Sequence, residues 1–399
     1  MTMIGFPPHP ADRWSLATWQ NAPANRWSFQ HIREVVPTAR VSRGTGAAAP
    51  LPQATGLDDE QTVWRLEGRW STVAQVIEDT YTDGFLVLHR GQVVTERYPG
   101  GMPADRPHIL MSVSKSVVGC LVGILADEGA IDVRAAVEVY VPELAVSGYA
   151  GATVQDVLDM RSGISFSETY LDPAAEVRLL EQVVGWAPRT VPELPTSMYE
   201  YLSTLSAGRP HGAEFEYRSC ETDILGWICE RATGTRLPDL LSAKIWSKLG
   251  CEQDMDAAVD PAGAVFADGG LSATLRDLGR FGQMLLDGGV AQGRPVVPAS
   301  WIADSLAGAA DTRDVFAASG NGTWLPGGGY RNQFWLPGGR EVLLCLGIHG
   351  QMVWVEPARE LVVVKLSSWP LPQEPAFLLD TMAAIDMIGF QLTLAAGLV

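Results

Sequence analysis

Apolar residues recur along this chain in two periods, and the switches between them outline its architecture. Met111 to Gly129 is apolar almost throughout and long enough for a buried helix, which the glycine stops. Phe85 to His89 and Val93 to Tyr98 are short β-rich runs around a turn containing Gly91, the pattern of a hairpin. Trp64 to Tyr81 reads as a helix. From Ile131 to about Gly270 the pattern changes to short amphipathic runs, with helices predicted over Val154 to Met160, Met198 to Ser206, Thr222 to Thr233 and Leu237 to Leu249. Leu271 to Gly288 predicts one more. Strand-like runs return at Glu341 to Gly347, Met352 to Glu356 and Leu361 to Leu366, and a helix closes the chain from Ala376 to Val399. Asp380, Asp386 and Gln391 mark a polar side on that helix, which suits covering a sheet better than spanning a membrane.

The first sixty residues, rich in Pro, Ala and Arg, predict an irregular surface arm. The stretch 320–340, which repeats Leu-Pro-Gly-Gly, predicts turns. Strands near both ends with helices between them imply an α/β plus all-α architecture. Residues 1–135 and 271–399 would build an antiparallel sheet flanked by helices, and 136–270 an inserted helical domain.

Composition narrows the function. With 399 residues, 47% apolar and 19% charged, the chain can bury a large core. Its 46 acidic against 29 basic side chains give a net charge of −17, which excludes an ordinary electrostatic nucleic-acid binder and disfavours an anionic membrane surface. Met1 to Trp14 lacks a basic stretch followed by an apolar one, so a cytoplasmic location is expected. Five scattered cysteines (Cys120, Cys220, Cys229, Cys251, Cys345) without a CxxC read as buried free thiols. The histidines never fall at metal-ligand spacing, and no P-loop, dinucleotide fingerprint or Gly-x-Ser-x-Gly elbow occurs, so no metal or cofactor is implied.

Only four residues are lysines (Lys115, Lys244, Lys248, Lys365), and one of them sits in Met111-Ser112-Val113-Ser114-Lys115-Ser116 at the start of the long apolar helix. Serine and lysine three apart share a helical face, so the amine can reach the hydroxyl. The positive end of the helix dipole favours the charge that develops when such a serine attacks a carbonyl. A lysine can act as base only where burial or neighbouring cations depress its pKa, and the apolar residues Val117, Val118, Leu121 and Val122 are expected to supply that setting; a guanidinium could not serve. Two further elements fit. Tyr217-Arg218-Ser219, ahead of a helix, could bring a phenol to the nucleophile as a proton relay. Ile348-His349-Gly350-Gln351 ends an apolar strand, and an edge strand there would offer a backbone N–H as the second oxyanion donor beside that of Ser112. Taken singly, that tyrosine and His349 are more often structural.

Together with Tyr81-Thr82-Asp83, Tyr170, Asp172-Pro173, Gly185-Trp186 and Val364 to Pro370, these segments make the chain resemble the 6-aminohexanoate-dimer hydrolases. That group is the nylon-oligomer-degrading branch of the β-lactamase-like serine hydrolases, and the resemblance runs over nearly the whole chain. It implies a β-lactamase/penicillin-binding-protein-like fold with the site between an α/β and a helical domain. Ser112 would be acylated, Lys115 the general base, Tyr217 the proton donor to the departing amine, and the amides of Ser112 and Ile348 the oxyanion hole. Tyr170 would hydrogen-bond the scissile nitrogen from a flexible loop, with Trp186 in the lid. Glu181 and Asp268 would offer negative charge to a substrate ammonium, and His349 and Gln373 would line the substrate site. Gln373 falls where some relatives carry an acid, which weakens ammonium binding.

The expected function is hydrolysis of linear amides such as 6-aminohexanoate oligomers, and of short-chain esters, by a monomer or homodimer whose partner is a small molecule. A carboxylesterase with little amidase activity is the alternative. A catalytically silent binding protein on the same scaffold is a third. A β-lactamase or D-alanyl peptidase is disfavoured, since no Lys-Thr-Gly stands where Ile348-His349-Gly350 does.

Overall fold

Alternation along each strand builds the central sheet. On Thr82–His89, Leu86 and Leu88 join one core cluster and Phe85 and Val87 the other, so the strand is apolar on both faces. In the computed structural model, which describes residues 3–54, 56 and 60–395, seven strands pair antiparallel. Their order is Gly329–Arg331, Phe334–Leu336, Leu343–Gly347, Gln351–Glu356, Leu361–Ser367, Thr82–His89 and Gln92–Arg97. The two ends of the chain meet where Leu361–Ser367 pairs with Thr82–His89. One face packs Leu86, Val353, Val362 and Val364 against Val117 and Leu121 of the helix Val113–Asp127 and against Leu278 and Phe281 of the helix Leu275–Leu286. The other packs Phe85, Trp354 and Val363 against Val76 and Ile77 of Val73–Asp79 and Ile385 and Ile388 of Pro375–Ala395.

Between these strand groups lie the helices Val154–Leu158, Glu176–Val183, Met198–Thr204, Cys220–Thr233 and Leu237–Lys244. Local chemistry sets their ends: Thr153 and Asp156 form a reciprocal capping box, and Gly234 stops its helix at φ 65°. The helix Cys220–Thr233 packs along Val113–Asp127, which brings the residues preceding it to the serine. All five cysteines are buried and free.

Several expectations need correction. Trp64 to Tyr81 is not one helix: Thr62–Trp64 and Trp70–Thr72 form a hairpin, and only Val73–Asp79 is helical, capped by the Thr72 hydroxyl. Gly68 turns the hairpin at φ 80°, and Trp64 and Trp70 pack edge to face across it at 5.1 Å. Leu271 to Gly288 begins as a strand, Leu271–Ala273, before Thr274 caps the helix through the Asp277 N–H. The stretch 320–340 contains the hairpin Gly329–Arg331 and Phe334–Leu336 at the sheet edge. Consequently Leu343–Gly347 is not an edge strand, although its neighbour pairs with it only at Leu344 and leaves its far end uncovered. The amino-terminal arm supplies Thr38–Val41 to a second, four-stranded sheet with Met255–Ala258, Leu271–Ala273 and His108–Ile109. The mainly helical stretch therefore also gives a strand. The last helix covers the sheet as expected, with Asp380 paired to Arg65 and Asp386 to Arg340. By length and composition it could also cross a membrane; residues 396–399 of its expected span lie outside the described residues.

Candidate active site

The helix Val113–Asp127 starts immediately after a strained residue. Met111 lies in the left-handed region at φ 47°, a conformation that costs a non-glycine residue about 1–3 kcal/mol and persists only where its surroundings hold it. The turn delivers Ser112 to the wall of a cleft of about 870 Å³, also lined by Tyr170, Tyr217, Ile348 and Gln373. One turn further on, Lys115 is 1% exposed. Its Nζ lies 3.1 Å from Ser112 Oγ, 3.1 Å from Ser219 Oγ and 2.7 Å from the Asp268 carbonyl.

Those three contacts orient the amine. The Asp268 carbonyl can only accept. Ser219 Oγ donates its proton to Glu168, so toward Lys115 it too accepts. Two amine hydrogens are thereby assigned, and once Nζ is neutral its lone pair points at Ser112. A lysine so held can take the serine proton.

Tyr217 closes the cluster from the opposite side. Its ring stacks on Trp335 at 5.0 Å, and Lys115 Nζ stands 5.5 Å from the ring centroid. Burial raises the phenol above its ordinary value against the opposing pull of Lys115, so Tyr217 is a protonated acid at neutral pH.

Glu168 was not anticipated from the sequence. Its Oε1 accepts from the Ser219 hydroxyl and, at 2.5 Å, from Tyr170 Oη, while Oε2 accepts the Ser219 N–H at 3.0 Å. It lines the cleft. Asp223 was missed as well: its Oδ1 accepts the N–H groups of Ala267 at 2.9 Å and Asp268 at 3.1 Å, directly behind Lys115. Burial raises both aspartates, Asp268 to about 6.

The opposite wall is the end of Leu343–Gly347. A side chain at Gly347 would place its Cβ 2.6 Å from the Leu110 carbonyl and 3.1 Å from Met111 Cβ, so only glycine lets this strand lie against the turn carrying Ser112. Ile348 follows at once. Gly350, at φ 87°, has the Trp369 ring 2.2 Å from where a Cβ would stand.

A serine, a buried lysine on the next turn and a tyrosine from the loop ahead of a separate helix are the parts of a hydrolytic site, and comparison with known proteins gives it a lineage. The model of the beta-lactamase family matches residues 72–385. The chain belongs to that family. It is a serine hydrolase of the 6-aminohexanoate-dimer hydrolase branch: it is 42% identical over 391 residues to the 6-aminohexanoate-dimer hydrolase of Paenarthrobacter ureafaciens, covering 96% of this chain and 97% of that one. A candidate 6-aminohexanoate-dimer hydrolase from Bacillus anthracis superposes with a TM-score of 0.87 at 29% identity, over 96% of this chain and 98% of that one. A family VIII carboxylesterase shares the fold, with a TM-score of 0.59 at 17% identity over 79% and 95% of the two chains.

In this beta-lactamase-family site the remaining expected residues are distributed unevenly. Tyr170 is buried in the cleft wall, its backbone carbonyl held by Arg178 Nε at 2.6 Å. Trp186 is buried against Phe266 and against Trp19 of the amino-terminal arm, whose Nε1 donates to the Trp186 carbonyl at 2.7 Å. Glu181 is also buried, but Arg178 pairs with both its oxygens at 2.8 and 2.6 Å and Gln20 donates to it. Asp268 faces Lys115 through its carbonyl, and its Oδ2 is buried without a hydrogen-bond partner among the described residues. His349 stands behind the wall: its Nδ1 bonds the Trp369 carbonyl at 2.8 Å, and burial lowers it to about 4, so it is a neutral support for Ile348 and Gly350. Gln373 is exposed at the cleft rim.

The electrostatics make a pH prediction. Burial is the largest influence on Lys115 and favours the neutral amine; ionised Tyr217, Asp268, Glu168 and Asp223 oppose it, and the balance lies above the ordinary lysine value. The neutral amine is the minority form at pH 7, so kcat/KM for an ester should rise with pH as the proton leaves. Asp268→Asn removes one opposing charge, which lowers the lysine pKa and should move this limb toward acid. A pH profile that the substitution leaves in place would show that Asp268 does not act on Lys115.

Proposed function

We propose that this enzyme hydrolyses linear amides of the 6-aminohexanoate type, and short-chain esters, through an acyl-enzyme on Ser112. The observation that carries the proposal is the fixed orientation of Lys115, with two hydrogens committed to Ser219 and Asp268 and the third position facing Ser112. Ser112 Oγ passes its proton to neutral Lys115 and bonds the carbonyl carbon. The oxyanion lies between the N–H groups of Ser112 and Ile348. As the C–N bond breaks, Tyr217 gives its proton to the departing amine and is recharged through Lys115. Water then repeats the sequence on the acyl-enzyme.

With Glu181 paired to Arg178, Glu168 is the carboxylate we assign to a substrate ammonium. Its three accepted hydrogen bonds leave one acceptor position on Oε2. This assignment fits the name of the 42% identical relative. A second reading, an esterase with little amidase activity, draws on the same geometry, because Glu181 is already neutralised and Gln373 carries no charge. Side-by-side kcat/KM on the 6-aminohexanoate dimer and a p-nitrophenyl ester separates the two. Ester turnover with no measurable dimer cleavage would leave only the second reading.

The oxyanion assignment has its own test. Gly347→Val should press the strand away from Leu110 and Met111 and shift the Ile348 N–H, lowering the acylation rate about 10²- to 10³-fold. An unchanged rate in a variant with native near-UV circular dichroism would remove Ile348 from the oxyanion hole.

A further inference from the structure

The cleft does not end at the serine. Leu346, Met352 and Lys365 sit side by side on three adjacent strands, and all three line the same cleft as Ser112. Strands lie about 4.8 Å apart, so the Lys365 backbone is about 10 Å from that of Leu346 across the sheet. The first turns of the helix Pro375–Ala395 form the facing wall through Pro375 and Leu378. Lys365 is 1% exposed, and its Nζ donates to the Thr80 carbonyl at 3.2 Å and to Ser367 Oγ, 5.3 Å from the Trp369 ring centroid.

What this amine lacks is a carboxylate. The charge that bears on it is Asp83, which Arg26 and His108 already hold. The other cation lining the cleft, Arg209, is paired with Glu214 and Glu216. The positive end of a 21-residue helix opens on the same lobe. Glu374, at that helix start, is the acid on the lobe's rim, and neutral His349 lies behind Trp369.

We propose that Lys365 is a subsite for the terminal carboxylate on the leaving-group side of a linear amide. The inference rests on the amide reading above and adds its selectivity. In a 6-aminohexanoate leaving group the carboxyl carbon lies six bonds from the amide nitrogen, about 8 Å when extended, comparable with two strand spacings. Leu346, Met352 and Leu378 would flank the methylenes. Ion pairing here would occur in a nearly dry wall, where it is stronger than at the surface.

Burial pulls the Lys365 amine down to about 7, with Asp83 opposing. A carboxylate arriving beside it favours the ammonium, so binding takes up a proton and weakens as pH rises above that value.

Ester hydrolysis by the full-length enzyme serves as reporter, with hexanoate and its neutral isostere hexanamide as competitive inhibitors. At pH 6.5 hexanoate should inhibit at least tenfold more strongly than hexanamide, and the ratio should fall toward one by pH 9. In Lys365→Met, with folding checked by near-UV circular dichroism, the ratio should be near one at both pH values. Equal inhibition of the wild type at pH 6.5, or a hexanoate preference that survives in folded Lys365→Met, overturns the proposal. The wild-type pH series decides alone where the variant does not fold. Because the reporter is an ester, failure here leaves the amide reading standing, whereas lack of dimer cleavage with a normal hexanoate preference would fail the amide reading alone.

Discussion

Ser112→Ala should reduce turnover of esters and amides alike by about 10⁵- to 10⁶-fold, the loss typical when a nucleophile is removed and only binding and oxyanion stabilisation remain. The substitution removes one oxygen from a position that is 9% exposed and leaves the apolar helix behind it untouched, so folding should survive. A fluorophosphonate probe should add its mass to the wild type and none to the variant. Labelling that persists in Ser112→Ala would place the reactive serine elsewhere. Lys115→Ala should fall nearly as far, because serine and lysine act as one unit and their losses do not add. The double variant should therefore be little worse than either single one.

What made this pair legible is that its geometry is local. Three residues on a helix determine which side chains meet, and no tertiary information is needed. The same locality could have exposed the fate of Glu181, since Arg178 stands three residues before it on the helix Glu176–Val183 and forms the pair that neutralises it. Glu168 gave no such signal. It earns its place through Ser219, 51 residues away, and that separation has no period in the sequence. The strands missed in the sequence share a physical cause. Those of the small sheet run only two to four residues, too few to show alternation, and each is stabilised by partners far along the chain. The seven-stranded sheet was legible where strands run five residues or more and hidden at Gly329–Leu336, where three-residue strands are flanked by glycine and proline.

Tyr217→Phe should separate amides from esters. An amide nitrogen leaves as a strongly basic amine and must be protonated as the bond breaks, whereas an activated phenolate ester releases a stable anion. Removing the proton donor should therefore lower kcat for the dimer by about 10²- to 10⁴-fold, the usual range for general acid catalysis, and the p-nitrophenyl ester far less. Lost packing would not mimic this, because phenylalanine keeps the ring that stacks on Trp335 and the apolar surroundings of Lys115. Where Tyr217 is ionised, above its raised pKa, the variant also removes the charge that most strongly holds the proton on Lys115, so the alkaline end of the ester profile should move toward acid. Two consequences with opposite bearing on rate thus come from one oxygen: a lost acid, felt by amides, and, at alkaline pH only, a freer base, felt by both substrates. Equal losses on amide and ester with an unmoved pH profile would mean that Tyr217 only packs, and the proton would have to reach the leaving amine by another route, for which the buried, protonated Tyr170 in the same cleft wall is a candidate.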